Sequence, residues 1–90
     1  MKILAVFLKI HGKVQGVNYR ASAQSKAQSL NLTGWTKNSL DGTVESQAEG
    51  TREKLEHFID WCQKGSPAAS VSSVEVNWVS PKGHRSFKII

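Results

Sequence analysis

The sequence predicts an α+β fold, a split β-α-β sandwich in which two helices cover one face of an antiparallel sheet. Segments with the period-two alternation of strands are interleaved with two segments of helical periodicity, in the order strand, helix, strand, strand, helix, strand. Two right-handed crossovers fold that order into this kind of sandwich. Because 90 residues suffice for one modest core, we expect residues 1–90 to form a single domain.

The first third of the chain contains a strand, a glycine-containing segment and a helix. Residues 2–11 are β-branched and aliphatic, with a period of two that predicts the first strand. The glycine-containing segment, residues 12–20, follows it. Apolar residues then recur at spacings of four, four and three from Tyr19 to Leu30, which predicts a helix of about three turns that ends near Asn31.

The middle of the chain predicts a β-hairpin. Residues 34–38 and 43–49 have extended character, and the loop between them contains Asp41 followed by Gly42, a pair typical of hairpin turns. In the second arm small or apolar residues alternate with polar ones. We therefore expect one face of that arm to point into the core and the other to point to water.

The second helix has the clearest periodicity in the chain. Its apolar residues stand at i, i+3, i+4 and i+7 from Leu55 to Cys62. Thr51 is a suitable N-cap and Gly65 a suitable end.

Two further extended segments complete the predicted sheet. Residues 71–79 alternate between apolar and polar, residues 87–90 form a short last run, and the Pro-Lys-Gly sequence at 81–83 predicts the turn between them. The complete order of elements is that of a ferredoxin-like fold.

Composition limits the classes of partner. The formal charge of +5 suits phosphorylated metabolites and nucleic acid alike. The single Cys62 cannot form an internal disulfide and has no His cluster with which to share a metal, so we expect a reducing, cytoplasmic setting. The apolar run near the N-terminus is too short for a signal peptide or a membrane span. We expect a monomer that does not bind membranes.

The glycine-containing segment is the candidate functional site. The first backbone N–H groups of a helix have no helical partner and lie at the positive end of its dipole, so they can hold a tetrahedral anion. Gly12 and Gly16 permit backbone angles and close approach that a Cβ would obstruct. Arg20, in the first turn of the helix, can add a bidentate contact. The same pattern is also compatible with a tight turn followed by a solvated arginine.

Two motifs resemble those of the acylphosphatase family. Residues 12–20 match the pattern G-x-V-Q-G-V-x-aromatic-R, and residues 34–45 match G-W/Y-x-x-N-x-x-D-G-x-V-E. The likeness continues through the helix that ends near Gly65, a Ser-Val-Glu-Val strand and a final Phe-x-Ile. It therefore covers essentially the whole chain.

The resemblance implies an activity and roles for particular residues. Acylphosphatases hydrolyse the mixed anhydride of a carboxylic acid and phosphate, and the family's catalytic arginine and asparagine fall on Arg20 and Asn38. The implied mechanism has the loop amides and the Arg20 guanidinium bind the phosphoryl group while Asn38 positions the attacking water. The implied substrate-binding residues of the loop are Gln15, Gly16, Val17, Asn18 and Tyr19.

The composition of the site is consistent with this reaction. The carboxylate leaving group is a weak base and needs no general acid, and residues 12–20 contain no His, Asp or Glu. We therefore expect a metal-independent hydrolase without a cofactor. Its substrate would be a small acyl phosphate, with inorganic phosphate or sulfate as a product-like ligand.

Two alternatives keep the same fold. A nucleic-acid-binding module needs exposed aromatic residues on the two central strands, where Phe7 with Lys9 stands on the first strand and the third strand has none, so we expect no nucleic-acid partner. A phosphate-binding or carbamoyl-phosphate-handling unit is the use that acylphosphatase-like domains have within larger proteins. A chain of ninety residues argues against that use.

Some residues depart from the family pattern or have no expected role in the chemistry. Position 18 is Asn where the family commonly has Gly or a bulky residue, and Lys88 to Ile90 lack the arginine that often closes the last strand. These departures can alter stability or leaving-group preference. Solvated or structural roles are expected for the remaining histidines and tryptophans, which are His11, His57, His84, Trp35, Trp61 and Trp78.

Overall fold

The computed structural model describes residues 2–90, so Met1, the first residue of the predicted domain, lies outside the described residues. Its elements in chain order are β1 Leu4–Lys13, α1 Tyr19–Ser29, β2 Thr33–Asn38, β3 Val44–Gly50, α2 Arg52–Lys64, β4 Ser70–Val79 and β5 Phe87–Ile89. The strands form one sheet in the order β4-β1-β3-β2-β5.

The predicted α+β split β-α-β fold is confirmed by this topology. β1 lies antiparallel to both β3 and β4, and β2 lies antiparallel to β3. The short β5 runs parallel to β2 and makes the sheet mixed at that edge. Because β1 and β3 are antiparallel neighbours, the loop that leaves β1 and the loop that enters β3 lie at the same end of the sheet.

The core lies between one face of the sheet and both helices. β1 is its centre, with Val6, Leu8 and Ile10 fully buried on the face that the helices cover. The strands and helices contribute one contiguous cluster of buried apolar side chains. Within residues 2–90 no helix is both long enough and apolar enough to span a membrane.

The predicted ends of the helices and of the hairpin are confirmed. Asn31, just after α1, has a φ of 56°, and Gly65, the C-cap of α2, has a φ of 74°. Both residues have a positive φ, which is common just after the last turn of a helix and is most easily adopted by Gly or Asn. Thr51 is the N-cap of α2, although its side chain makes no capping hydrogen bond. The turn between β2 and β3 is closed by a 2.8 Å hydrogen bond from the Ser39 N–H to the Thr43 carbonyl.

The first strand is longer than predicted, and this changes the role of Gly12. β1 continues through Gly12 to Lys13, with an irregularity in its pairing with β4 between His11 and Gly12. A Cβ at Gly12 would overlap the backbone oxygen of Ser70 in β4, and its φ is 123°. Gly12 therefore allows two strands to approach closely. The expectation that it forms part of the anion loop was wrong.

The prediction that one face of β3 points to water was also wrong. Gln47 is only 9% exposed and Glu49 only 3% exposed, although both lie on the face opposite the helices. The Glu49 carboxylate accepts hydrogen bonds from the backbone N–H groups of residues 82, 83 and 84. The connection between β4 and β5 thus folds over this face at Glu49, a contact that the local alternation of β3 does not encode.

Candidate active site

Residues 14–18 form the loop that joins β1 to α1. Gly16 and Asn18 have φ values of 75° and 64°, and Asn18 is the N-cap of α1 without a side-chain capping bond. Left-handed residues in such a loop turn successive backbone N–H groups inward. In the part of the chain that the structure describes, the backbone N–H groups from Gln15 to Arg20 donate no hydrogen bond to another backbone group. The loop therefore presents free donors at the positive end of a helix.

A cleft of about 150 Å³ lies beside this loop. That volume is well below the roughly 300–1,000 Å³ of sites for drug-sized ligands, so the cleft suits a small ligand. The loop, the first turn of α1, the end of β2 and the C-terminal strand all contribute to its lining. The lining residues are Val14, Gly16, Asn18, Tyr19, Arg20, Ala21, Asn38 and Ile89.

Most of the residues that the sequence singled out meet at this cleft. Arg20 and Asn38 lie 18 positions apart in the chain and on different elements, yet both line it, and so do the three loop and helix residues Gly16, Asn18 and Tyr19. Gln15 and Val17 are not among its lining residues. No acidic residue or histidine is among them either. The cleft thus combines backbone donors, the guanidinium of Arg20 and two asparagines, Asn18 and Asn38.

The C-terminal end of α2 supports the loop from one side. The Tyr19 hydroxyl donates a 2.8 Å hydrogen bond to the Cys62 carbonyl, and its ring packs against Trp61 with centroids 5.3 Å apart. The Ser66 hydroxyl donates a 2.7 Å hydrogen bond to the Val17 carbonyl, and this contact is buried. A carbonyl held in this way cannot turn into the loop, where its oxygen would repel an anion.

The hairpin holds the loop from the other side. The Gln15 side-chain Nε2 donates hydrogen bonds of 2.7 Å to the Ser39 carbonyl and 2.9 Å to the Thr43 carbonyl. These two carbonyls stand at the two ends of the turn that follows Asn38. Gln15 therefore faces the hairpin with its side chain, while its backbone N–H belongs to the loop.

The charged residue of the hairpin turn, Asp41, is paired with Lys9 of β1. Hydrogen bonds from Thr43, together with the Lys9 ammonium 3.0 Å away, hold the pKa of the Asp41 carboxyl below its usual range. The same contact with Asp41 raises the pKa of Lys9. Both side chains are at the surface and outside the cleft lining. They shape the turn, as predicted for Asp41.

Two titratable groups are buried behind the loop. Burial raises the pKa of the Cys62 thiol to about 12 and also raises that of the Tyr19 phenol. Neither group ionises near neutral pH, so neither serves as a nucleophile or a proton carrier there. Among residues 2–90 no group of three or more His, Cys, Asp or Glu side chains is arranged to hold a metal ion.

Comparisons with known proteins agree with the geometry. Residues 6–89 match the family model described as Acylphosphatase. A protein named acylphosphatase from Thermococcus kodakarensis is 43% identical over 90 residues, which cover 100% of this chain and 99% of that protein.

Solved structures give the same result. The crystal structure of acylphosphatase from Bacillus subtilis has a TM-score of 0.94 at 38% identity, with 97% of this chain and 98% of that chain covered. An acylphosphatase from Coxiella burnetii has a TM-score of 0.95 at 35% identity, with coverages of 98% and 93%. This chain belongs to the acylphosphatase family. Family membership supports an enzyme that hydrolyses acyl phosphates, and it confirms the resemblance inferred from the two motifs.

Three features around this cleft were not anticipated. Ser66 donates a hydrogen bond to the Val17 carbonyl of the loop, and the Gln15 side chain of the loop donates to the Ser39 carbonyl of the hairpin. Ile89 lines the cleft from β5. The motif match includes Gln15 but gives no sign that its side chain reaches the hairpin. Such contacts depend on how distant elements dock, so spacing along the chain could not reveal them.

Proposed function

We propose that the cleft at the start of α1 hydrolyses the carboxyl-phosphate anhydride of acyl phosphates to a carboxylate and inorganic phosphate. In this proposal the loop amides and Arg20 bind the phosphoryl group, and Asn38 positions the attacking water. The acting unit is the domain of residues 1–90.

The observation that carries the proposal is the run of unpaired backbone donors beside Arg20. The N–H groups of residues 15–20 bond to no other backbone group of the described chain, and Arg20 forms no salt bridge within it. Groups of this kind, fixed before the substrate arrives, stabilise charge on the equatorial oxygens of a transferring phosphoryl group. The planar guanidinium matches two of those oxygens.

Asn38 suits the placement of water because it lines the same cleft as the loop, from the end of β2. Its side-chain carbonyl can accept a proton of the water and its amide can donate to the water oxygen. As a very weak base it orients the water and does not deprotonate it. The water oxygen forms the new bond to phosphorus while the bond from phosphorus to the acyl oxygen breaks, and the acyl group leaves as a carboxylate. One proton of the water stays on the new phosphate oxygen and the other passes to a phosphoryl oxygen, so the phosphate product keeps both.

We further propose that the reaction is metal-independent. The carboxylate leaves without a proton, and Arg20 with the loop amides supplies the charge compensation that a metal ion would otherwise provide. We also propose a monomer in a cytoplasmic setting, with small acyl phosphates as partners and no nucleic acid. Inorganic phosphate, as the product, should compete for the same donors.

Replacement of Arg20 tests the proposal directly. Arg20→Ala should cost about 3 kcal/mol or more of transition-state stabilisation, by analogy with the loss of one preorganised oxyanion donor. Arg20→Lys should fail as well, because an ammonium cannot reproduce the planar fork. The measurement is the kcat/KM of the purified protein for benzoyl phosphate, with and without a chelator. Near-normal hydrolysis by Arg20→Ala would overturn the mechanism, and a loss of activity with the chelator would overturn metal independence.

A further inference from the structure

We propose that the Gln15 side chain is a positioning residue that sets Asn38, and hence the attacking water, at a fixed place relative to the bound phosphoryl group. This inference rests on the proposed function. It assigns Gln15 a role distinct from that of its backbone N–H, which belongs to the anion loop.

The geometry of the contact points to this role. Gln15 Nε2 uses both of its hydrogens, on the carbonyls of Ser39 and Thr43, at 2.7 and 2.9 Å. Ser39 directly follows Asn38, and the Ser39 N–H donates to the Thr43 carbonyl at 2.8 Å. One carboxamide therefore joins both ends of the turn to the loop.

Other contacts of the turn do not connect it to the loop. The two hydrogen bonds from Thr43 to Asp41 lie within the turn. The ion pair between Lys9 and Asp41 ties the turn to β1, and its side chains are 29% and 49% exposed. Within residues 2–90, Gln15 makes the only side-chain hydrogen bonds between residues 14–18 and residues 38–43.

The loop itself is held from the opposite side. Ser66 fixes the Val17 carbonyl and Tyr19 is anchored to the Cys62 carbonyl. Loss of the Gln15 carboxamide should therefore leave the phosphate donors in place and release only the hairpin. Because a displacement of 1 Å at a reacting group can cost about 100-fold in rate, kcat should respond more strongly than phosphate binding.

The test is Gln15→Met, which retains length and removes both donors. We expect kcat for benzoyl phosphate to fall at least tenfold while the inhibition constant of inorganic phosphate changes by less than about threefold. The matched control is Gln24→Met. Gln24 donates a 3.0 Å hydrogen bond to the Phe87 carbonyl and so ties α1 to β5 without reaching the hairpin. Its kcat should stay within about twofold of the wild-type value.

A double-mutant cycle separates positioning from general damage. If Gln15 acts through Asn38, the variant Gln15→Met/Asn38→Ala should have the same kcat as Asn38→Ala, within about twofold. Independent, multiplicative losses would contradict the inference. A rise in the phosphate inhibition constant that matches the fall in kcat would contradict it too, because the loop would then have moved.

Further outcomes keep this inference distinct from the proposed function. If the wild-type protein does not hydrolyse benzoyl phosphate, or if Asn38→Ala retains its turnover, the proposed function is wrong. If both behave as expected and Gln15→Met retains its kcat, only the role of Gln15 is wrong. Circular dichroism monitors folding. Should Gln15→Met not fold, Gln15→Ala, which leaves room for water to reach the two carbonyls, replaces it with the same expected results.

Discussion

The two helices of this protein begin in opposite ways. α2 begins after Thr51 in an extended conformation, with the acidic Glu53 in its first turn. α1 begins after Asn18 in a left-handed conformation, with no acidic residue in its first turn and with the cationic Arg20 there instead. A carboxylate near a helix N-terminus is stabilising and a cation there is unfavourable, by about 0.3–1 kcal/mol. The start of α1 is thus built against its own dipole, and an anionic ligand would relieve the conflict.

The buried faces of the two helices also differ, in the size of the side chains that they bury. α2 buries Leu55, Phe58 and Cys62, whereas the buried residues of α1 beyond its first position are only Ala23 and Ala27. Large side chains contribute most of the free energy of apolar burial. Apart from Tyr19, α2 therefore contributes larger buried apolar side chains to the core than α1 does, which agrees with the proposed role of the start of α1 as a binding site.

The largest expected effect tests the role of α2. Phe58 is fully buried and its ring packs against Trp61 and Phe87, with centroid distances of 6.3 and 5.8 Å. Phe58→Ala should lower the free energy of unfolding by about 3–5 kcal/mol, because it leaves a cavity between the layers. Denaturant unfolding measures this loss, with Ala23→Gly in α1 as the comparison at about 1 kcal/mol. Equal losses at the two positions would remove the difference between the helices.

Alkaline pH tests the contact between the two helices. Burial raises the pKa of Cys62 from 9.0 to about 12 and raises that of Tyr19 above 10.0. Both groups hold their protons more tightly in the folded state than in the unfolded chain. Their contribution to the free energy of unfolding is therefore complete below about pH 9 and is lost as the pH rises toward their folded-state pKa values. Each group should lower the free energy of unfolding by about 1.4 kcal/mol per pH unit once it ionises only in the unfolded chain.

The measurement is the free energy of unfolding from pH 8 to pH 11. Tyr19→Phe removes the phenol and its hydrogen bond to Cys62, and should flatten the part of the decline that begins above pH 10. An unchanged slope in this variant would mean that Tyr19 does not contribute to alkaline unfolding.

Sequence predicted the parts of this molecule that depend on local pattern. The period of α2, the Asp41-Gly42 turn and the left-handed Asn31 each follow from residues within a few positions of one another. Gly12 and Glu49 were misjudged because their neighbours are distant in the chain. Gly12 lies against β4, and Glu49 accepts hydrogen bonds from the connection between β4 and β5.

The candidate site divides in the same way. The motifs singled out Arg20 and Asn38, and the fold brings both to one cleft. Their supports, the Ser66 hydroxyl and the Gln15 carboxamide, bond to backbone carbonyls of other segments. Every residue has a backbone carbonyl oxygen, so the sequence does not indicate which carbonyl a distant side chain will bond to.

The smallest expected effect tests whether Arg20 opposes the fold. In buffer free of phosphate, Arg20→Glu should raise the free energy of unfolding by about 0.5–1 kcal/mol, because it replaces a cation with an anion at the positive end of α1. Lys26→Glu is the matched control, since Lys26 lies in the last turn of the same helix, where a cation is favourable. It should lower the free energy of unfolding by a similar amount.

Inorganic phosphate should then reverse the order of stability of wild type and Arg20→Glu. Added at 100 times its dissociation constant, it should stabilise the wild-type protein by about 2.7 kcal/mol, because it binds only the folded chain. Arg20→Glu should gain almost nothing, since a carboxylate at that position repels the anion. If Arg20→Glu is instead the less stable protein without phosphate, Arg20 contributes to folding, and the contrast between the two helices rests on their buried faces alone.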